Sequence, residues 1–577
     1  TLGPVLFISL MAGLSSCQNL DEYNPSGATA ENVWTTPEGF ITNINGAYSE
    51  QRNWYGKEDG IFMAESGTDL WFNKDKSTYA QQLTQYSGLT ASTGNPNRAA
   101  WISVWKAINI CNAGINRIGQ AGFTSVDERN RREGELRFLR GFYYWHIVET
   151  WGGVMLRTEE TKEPLLTATR SSVSDFYDLI ISDFEFAAQY LPVQSFWGNE
   201  YSRASKKSAL GFLSRALLSR AYYAKQSGNT SEANTYFTRA RDVAKDVIAR
   251  KSELGTDLWS SYDQLWNPSN NKNNKEALYI VSNSTNPLLN IDQNGNRVFM
   301  TFQNNYTNKL ALTQSIAYGN PSASRLMPTL TLLDYFDEAT DARYNASFQE
   351  VWIANKVYTW TSADVTLYQK DASLVGKQIN IGDTALVITK KVVANKSTRP
   401  YVILDRNDVY GTDSKIKTGR DFVSFRKFMD PNITAPNSQA GFNDIMVMRL
   451  AEMYIIAAEA EYGLGNLNEA AGFINVLRTR AALPGQQAAM QISAADLTNN
   501  SNFILEERAR EFAGEYQRWF DLKRVLKGQG GQEFVQFINS RNPDITQVQP
   551  HHVLRPIRQE ELNSLLNRDE FGQNPGY

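Results

Sequence analysis

Cysteine is almost missing from this chain: there are two in 577 residues, Cys17 and Cys111. Histidine is hardly commoner, with three, of which His146 lies in a helical pattern and His551 and His552 are adjacent. No HExxH, no Cys/His cluster and no spaced Asp/Asn calcium loop occurs, which removes the usual protein-built metal sites. GxSxG, a Walker loop and a dinucleotide fingerprint are missing as well. The chain has no excess of one charge, 58 basic residues standing against 61 acidic ones, so no long-range field draws in nucleic acid or anionic lipid. One consecutive apolar run exists, Val5 to Leu14, and it is too short to cross a bilayer, which takes about 20 apolar residues. Neither a metal nor a cofactor is expected.

That run ends in Leu14-Ser15-Ser16-Cys17 and turns abruptly into Gln, Asn, Asp and Glu. Consecutive apolar residues closing on small ones are the core and cleavage site of a secretory signal. A charged start is missing and the chain begins at Thr1, so the first residues of the signal read as lost. Leu-Ser-Ser-Cys resembles the lipobox of bacterial lipoproteins, in which the cysteine thiol is acylated and the chain is cut just before it. Residues 1–16 are then a signal peptide, Cys17 the lipid anchor and residues 17–37 a solvated tether. One fatty chain holds a protein to a membrane only marginally, whereas two or more hold it stably. An ordinary secretory signal with a chance cysteine is the other reading. With Cys17 lipidated, Cys111 has no disulfide partner within the chain.

What the chain does have is length and aromatics. At 577 residues it exceeds one ordinary core, so it holds several domains or is built from repeats. Its 13 Trp, 27 Tyr and 28 Phe, with many Asn and Gln, suit flat amphipathic surfaces for a neutral, hydroxyl-rich ligand. Most of these rings nonetheless belong in cores.

Helical patterns come in pairs. Glu38 to Gln51, Arg98 to Ile118, Asp127 to Trp151 and Ser174 to Tyr190 carry apolar residues at three- and four-residue steps. Lys206 to Ala224 and Ser231 to Arg250 form a hairpin, with Ala216, Ala221, Ala240 and Ala244 where two helices must approach closely. Phe442 to Tyr462 and Leu467 to Ala482 repeat the plan across Gly463-Leu464-Gly465-Asn466, and Asn502 to Leu526 reads as one further helix. This is the grammar of tetratricopeptide-type repeats. The predicted fold is mainly α, about eight helices in four pairs over residues 38–254 and 442–577. A large irregular, partly β insertion at residues 255–441 is too long to be a structureless loop. Ala277 to Val281, Val298 to Phe302, Ala385 to Val393 and Tyr401 to Leu404 are its strand-like runs.

Four stretches then carry a resemblance: GELRFLRGFYYWHIVETWGGVML (134–156), NDIMVMRLAEMYIIAAEAEYGLGN (443–466), ILEERAREFAGEYQRWFDLKR (504–524) and the closing LRPIRQEELNSLLNRDEFGQNPGY (554–577). With the lipobox, they resemble the SusD/RagB family of surface lipoproteins. Arg558 departs from the pattern, since the family usually has a second proline after Pro556-Ile557. The resemblance implies non-catalytic capture of an oligosaccharide or similar nutrient at the outer face of the outer membrane. It also implies delivery to a SusC-like TonB-dependent barrel. A surface glycan hydrolase and an adhesion or assembly scaffold stay open as alternatives.

A hydrolase would need two carboxylates about 5 Å apart flanking a cleft, if retaining. Glu506, Glu507, Arg510, Glu511, Arg518 and Asp521 interleave opposite charges along one helical stretch, which favours ion pairing within the fold over catalysis. No residue is assigned a catalytic role.

Sugars bind by stacking C–H faces on rings while amides and carboxylates bond their hydroxyls, on loops held by a rigid scaffold. Two stretches qualify. In Ala64 to Leu83, Asp69, Trp71, Asn73 and Tyr79 are the candidate ligand residues; in Val298 to Arg325, they are Asn305, Tyr306 and Tyr318. The family groove is made from loops in these two regions, but no motif fixes its ligand residues. Trp71 is equally placed to cap a helix pair, Trp266 reads as structural, and Trp259 and Trp360 are left undecided.

Overall fold

In the computed structural model the described residues are 33–73, 78–94, 97–290, 295–528 and 530–577. Cys17, the signal and most of the tether lie outside them. No helix of the described residues is long and apolar enough to cross a membrane.

The scaffold is an array of eight helices: α1 (Pro37–Ser49), α2 (Asn97–Arg117), α3 (Val126–Trp151), α4 (Val173–Tyr190), α5 (Lys206–Gln226), α6 (Thr230–Ala249), α7 (Leu450–Gly463) and α8 (Leu467–Ala481). Their starts follow from capping residues in the sequence. Thr36 Oγ1 accepts the Gly39 N–H ahead of Pro37 in α1, and Ser172 with Asp175 closes a reciprocal box at α4. Asn229 Oδ1 accepts the Glu232 N–H at the start of α6. Each helix from α2 to α6 packs on its successor, and α7 packs on α6 although residues 250–449 intervene. Ala216, Ala221, Ala240 and Ala244 are fully buried where α5 and α6 meet, close enough for Ser214 Oγ to donate to the Ala240 carbonyl at 3.0 Å. Gly463 serves the next crossing: a Cβ there would lie 2.8 Å from the Phe237 ring.

The long insertion does not disturb the array because its neck is zipped. Of its strands, β2 (Ala277–Val281) pairs antiparallel with β7 (Ile445–Arg449), Val281 opposite Ile445. The insertion also holds β3 (Leu326–Pro328) and a sheet of β4 (Val351–Ile353), β5 (Thr384–Ile388) and β6 (Val402–Leu404), with β5 central. Outside the insertion, β1 (Trp71–Asn73) lies between α1 and α2 in the chain.

Three sequence expectations are corrected. Phe442 to Tyr462 opens as β7 before becoming α7, because a strand buried on both faces reads as a continuous apolar run. Val298–Thr301 is a short helix and not a strand; Asn296 Oδ1 accepts the Val298 N–H at 2.9 Å and turns the chain. Asn502 to Leu526 is two helices, α9 (Phe503–Phe512) and α10 (Arg518–Leu526). Gly514 and Tyr516 take positive φ between them, and the buried Glu65 carboxylate accepts the N–H groups of Gly514, Gln517 and Arg518. An acceptor from a distant helix thus replaces the intrahelical carbonyls.

The chain's end is tied to the array. Asn574 Nδ2 donates to the carbonyls of Trp151 and Arg555, both at 2.9 Å, and the Tyr577 hydroxyl donates to the Leu554 carbonyl at 2.7 Å.

Candidate functional site

The two candidate stretches, more than 200 residues apart in sequence, come together. Strand β1 pairs antiparallel with β3, Trp71 opposite Pro328 and Asn73 opposite Leu326. The Trp71 ring lies 4.7 Å from Phe302 and 5.3 Å from Phe425, centroid to centroid. An aromatic floor therefore joins the stretches from beneath.

That floor absorbs much of the candidate list. Trp71 is fully buried and its Nε1 donates to Glu65 at 2.9 Å, so it supports the face and does not line it. Asp69 is fully buried as well, gripped by Arg518 Nε and Nη2 at 2.8 and 2.7 Å, with the Tyr335 hydroxyl at 3.2 Å. Asn73 is buried in the paired strand. Their polar sequence neighbours suggested a loop, but a partner 449 positions away satisfies Asp69 from inside. Tyr79 falls on the helix Thr78–Gln85, its side chain outside the described residues.

The second stretch reaches the surface through fewer groups. Tyr306 is buried, its hydroxyl donating to the Gly319 carbonyl at 2.8 Å and accepting the Ser315 N–H at 3.1 Å. Tyr318 meets it edge-on at 5.5 Å and stays half-buried. The Tyr318 hydroxyl donates to the Ile353 carbonyl at 3.0 Å and accepts the Ile353 N–H at 2.8 Å, pinning the free edge of β4. The half-buried Asn305 accepts from Thr307 Oγ1 at 2.9 Å, and its N–H donates to the carbonyl of the exposed Arg420. Two amides not singled out from the sequence join this face. Gln314 donates to Asn320 Oδ1 and the Pro436 carbonyl, and the half-buried Asn355 clamps exposed Thr313 at 2.7 and 2.8 Å. Asn355 follows β4 by two residues and lies 42 positions from the Thr313 it holds, and nothing in linear spacing announces it.

The interleaved charges of the C-terminal helices form a closed network. Arg343, fully buried, reaches Asp341 and Glu507 at 2.8 Å and Glu511 at 3.0 Å. Arg449 joins Glu276, Glu511 and Glu515 at 2.8–2.9 Å, and Arg478 and Arg480 add to Glu507 and to Glu276 with Glu511. Burial pushes the Glu511 carboxyl up, but the guanidiniums of Arg480, Arg449 and Arg343 outweigh it and hold it at about 2. Glu507 is driven further down by the same opposition, with Arg343 the leading cation. Carboxylates held this acidic do not carry a proton at neutral pH and serve poorly as general acids. Among the described residues, no group of three or more His, Cys, Asp or Glu is placed to hold a metal ion.

Comparison with known proteins follows the same lines. The family profile described as "SusD family" matches residues 292–577, and "Starch-binding associating with outer membrane" matches residues 20–218. "SusD-like protein P2" of Formosa agariphila is 24% identical over 99% of both chains. A SusD homolog from Bacteroides thetaiotaomicron superposes with TM-score 0.68 at 18% identity, covering 95% of this chain and 99% of the other. A structure titled "Laminarin binding SusD-like protein" gives TM-score 0.64 at 19% identity, covering 94% and 100%. With the helical array, the zipped insertion and the anchored QNPGY terminus all accounted for, the chain belongs to the SusD/RagB family.

Proposed function

We propose that this protein captures a glycan, without catalysis, on the face built from Tyr318, Asn305, Gln314 and Asn355. The observation that carries this reading is Tyr318, a partly open ring held rigid at its hydroxyl by the Ile353 backbone and backed edge-on by Tyr306. Such a platform offers a stacking surface and hydrogen-bonding groups with little ordering cost on binding. The relatives named for starch and laminarin binding support a polysaccharide fragment as ligand. Tyr79 belongs to the same proposal as the ring nearest β1 in the chain. Acylation at Cys17 would tether the protein to the outer membrane, and a SusC-like TonB-dependent barrel would receive the ligand. The helical array offers a broad docking surface for that partner.

The test is binding of starch and laminarin oligosaccharides to the truncated, soluble protein by calorimetry. Tyr318→Ala is expected to weaken binding about tenfold, roughly 1.4 kcal/mol, at the upper end of what one aromatic contact adds. Unchanged affinity removes this face from the proposal. Release of reducing ends from either glycan would instead favour a hydrolase.

A further inference from the structure

On another side of the molecule, a groove of about 510 Å³ opens between α1, the turn after it and strand β2. Its size falls within the range of about 300–1,000 Å³ usual for small-ligand sites. None of the residues of the loop face lines it. The groove is rich in donors. Arg52 is fixed by its Nε, which donates to the Ser282 carbonyl at 2.9 Å, while its Nη groups have no acceptor among the described residues. Arg203 holds Asn45 Oδ1 at 2.9 Å and lies 5.8 Å from the half-buried Tyr48 ring. Gln51, also on the wall, accepts the Tyr279 hydroxyl at 2.8 Å, and its buried Nε2 has no acceptor among the described residues. Glu200 is the one carboxylate lining the groove; Arg203 bonds it at 2.8 Å and is shared with the buried Glu135, also at 2.8 Å, while Asp444, outside the lining, acts on Arg52 through its charge. A buried or half-buried donor without an acceptor loses hydration and gains nothing in return until a ligand or water supplies one.

We propose that this groove is a second saccharide site, specific for an acidic sugar whose carboxylate pairs with Arg52 and whose hydroxyls meet the exposed Asn45. A planar guanidinium anchored at Nε presents its Nη pair in the fork that fits a carboxylate. Tyr48 with Ile280 supplies the apolar wall against which a sugar ring lies. The site differs from the loop face in the charge it selects.

Calorimetry with a panel of uronate disaccharides and their carboxyl-reduced, neutral counterparts tests the assignment. Wild-type protein is expected to bind at least one uronate disaccharide saturably, about tenfold more tightly than its neutral counterpart, and less tightly as salt rises. Arg52→Gln is expected to lower that affinity about tenfold. Asn45→Asp keeps the acceptor for Arg203 and adds a repelling charge, so it is expected to weaken binding while leaving the melting temperature near wild type. Tyr318→Ala is expected to leave uronate binding unchanged. No binding of any panel member, an Arg52→Gln variant that binds as wild type, or loss in Tyr318→Ala alone would each overturn the proposal.

Discussion

Glu511→Gln separates a structural carboxylate from a catalytic one. Glu511 Oε1 accepts from Arg449 Nη1 at 2.8 Å and from Arg480 Nη2, and Oε2 accepts from Arg343 Nη1 at 3.0 Å. An amide keeps one acceptor but turns an N–H₂ toward guanidinium donors, leaving three buried cations short of a counter-charge. Breaking a buried ion pair by removing one partner costs about 3–5 kcal/mol. Unfolding entropy near the midpoint is about 2.1 cal/mol/K per residue, so over 577 residues the melting temperature is expected to fall by about 2–4 °C. Differential scanning calorimetry reads the shift, and glycan titration on the same sample is expected to give a wild-type affinity. The linkage has a definite sign. The folded pKa lies below the unfolded value of about 4.3, so this stability is present above that pH and disappears as pH falls toward 2. Glu511→Gln should therefore flatten the acid limb of the stability curve. A variant that melts with wild type, or that binds glycan but abolishes a turnover seen in wild type, would refute the reasoning.

Two further predictions concern the hinge beneath the loop face. Burial raises the Glu65 carboxyl to about 7 against the lowering effect of Trp71 and three backbone N–H groups, and among the described residues no cation pairs with it. A raised folded pKa makes this group's contribution largest below about 4.3 and lost as pH rises through 7, worth at most about 4 kcal/mol. Glu65→Gln should remove that slope between about pH 4.3 and 7 in urea titrations, and an unaltered slope would show that the carboxyl titrates normally. Gly514→Ala places a Cβ 2.9 Å from the Phe428 ring and 3.1 Å from Phe425 at φ +77°. A loss of about 2–3 kcal/mol is expected from strain and overpacking together, read as a lower denaturant midpoint.

Local rules carry the helical array. Capping residues such as Thr36, Ser172 and Asn229, alanines at the crossings and a three- to four-residue apolar period are properties of neighbours in the chain. Where most helices start, that they stack, and the family to which the stack belongs were therefore legible from neighbouring residues alone. The sequence could not decide which aromatic rings face a ligand, because Trp71 and Tyr318 look alike until Phe302, Phe425 and Glu65 close over one of them. Nor could it tell β7 from a helix, or α9 and α10 from one long helix, since the partners that decide are β2 and Glu65, far away in the chain. Burial and long-range hydrogen bonding are properties of the folded whole, and they alone divided the aromatic and charged residues between core and face.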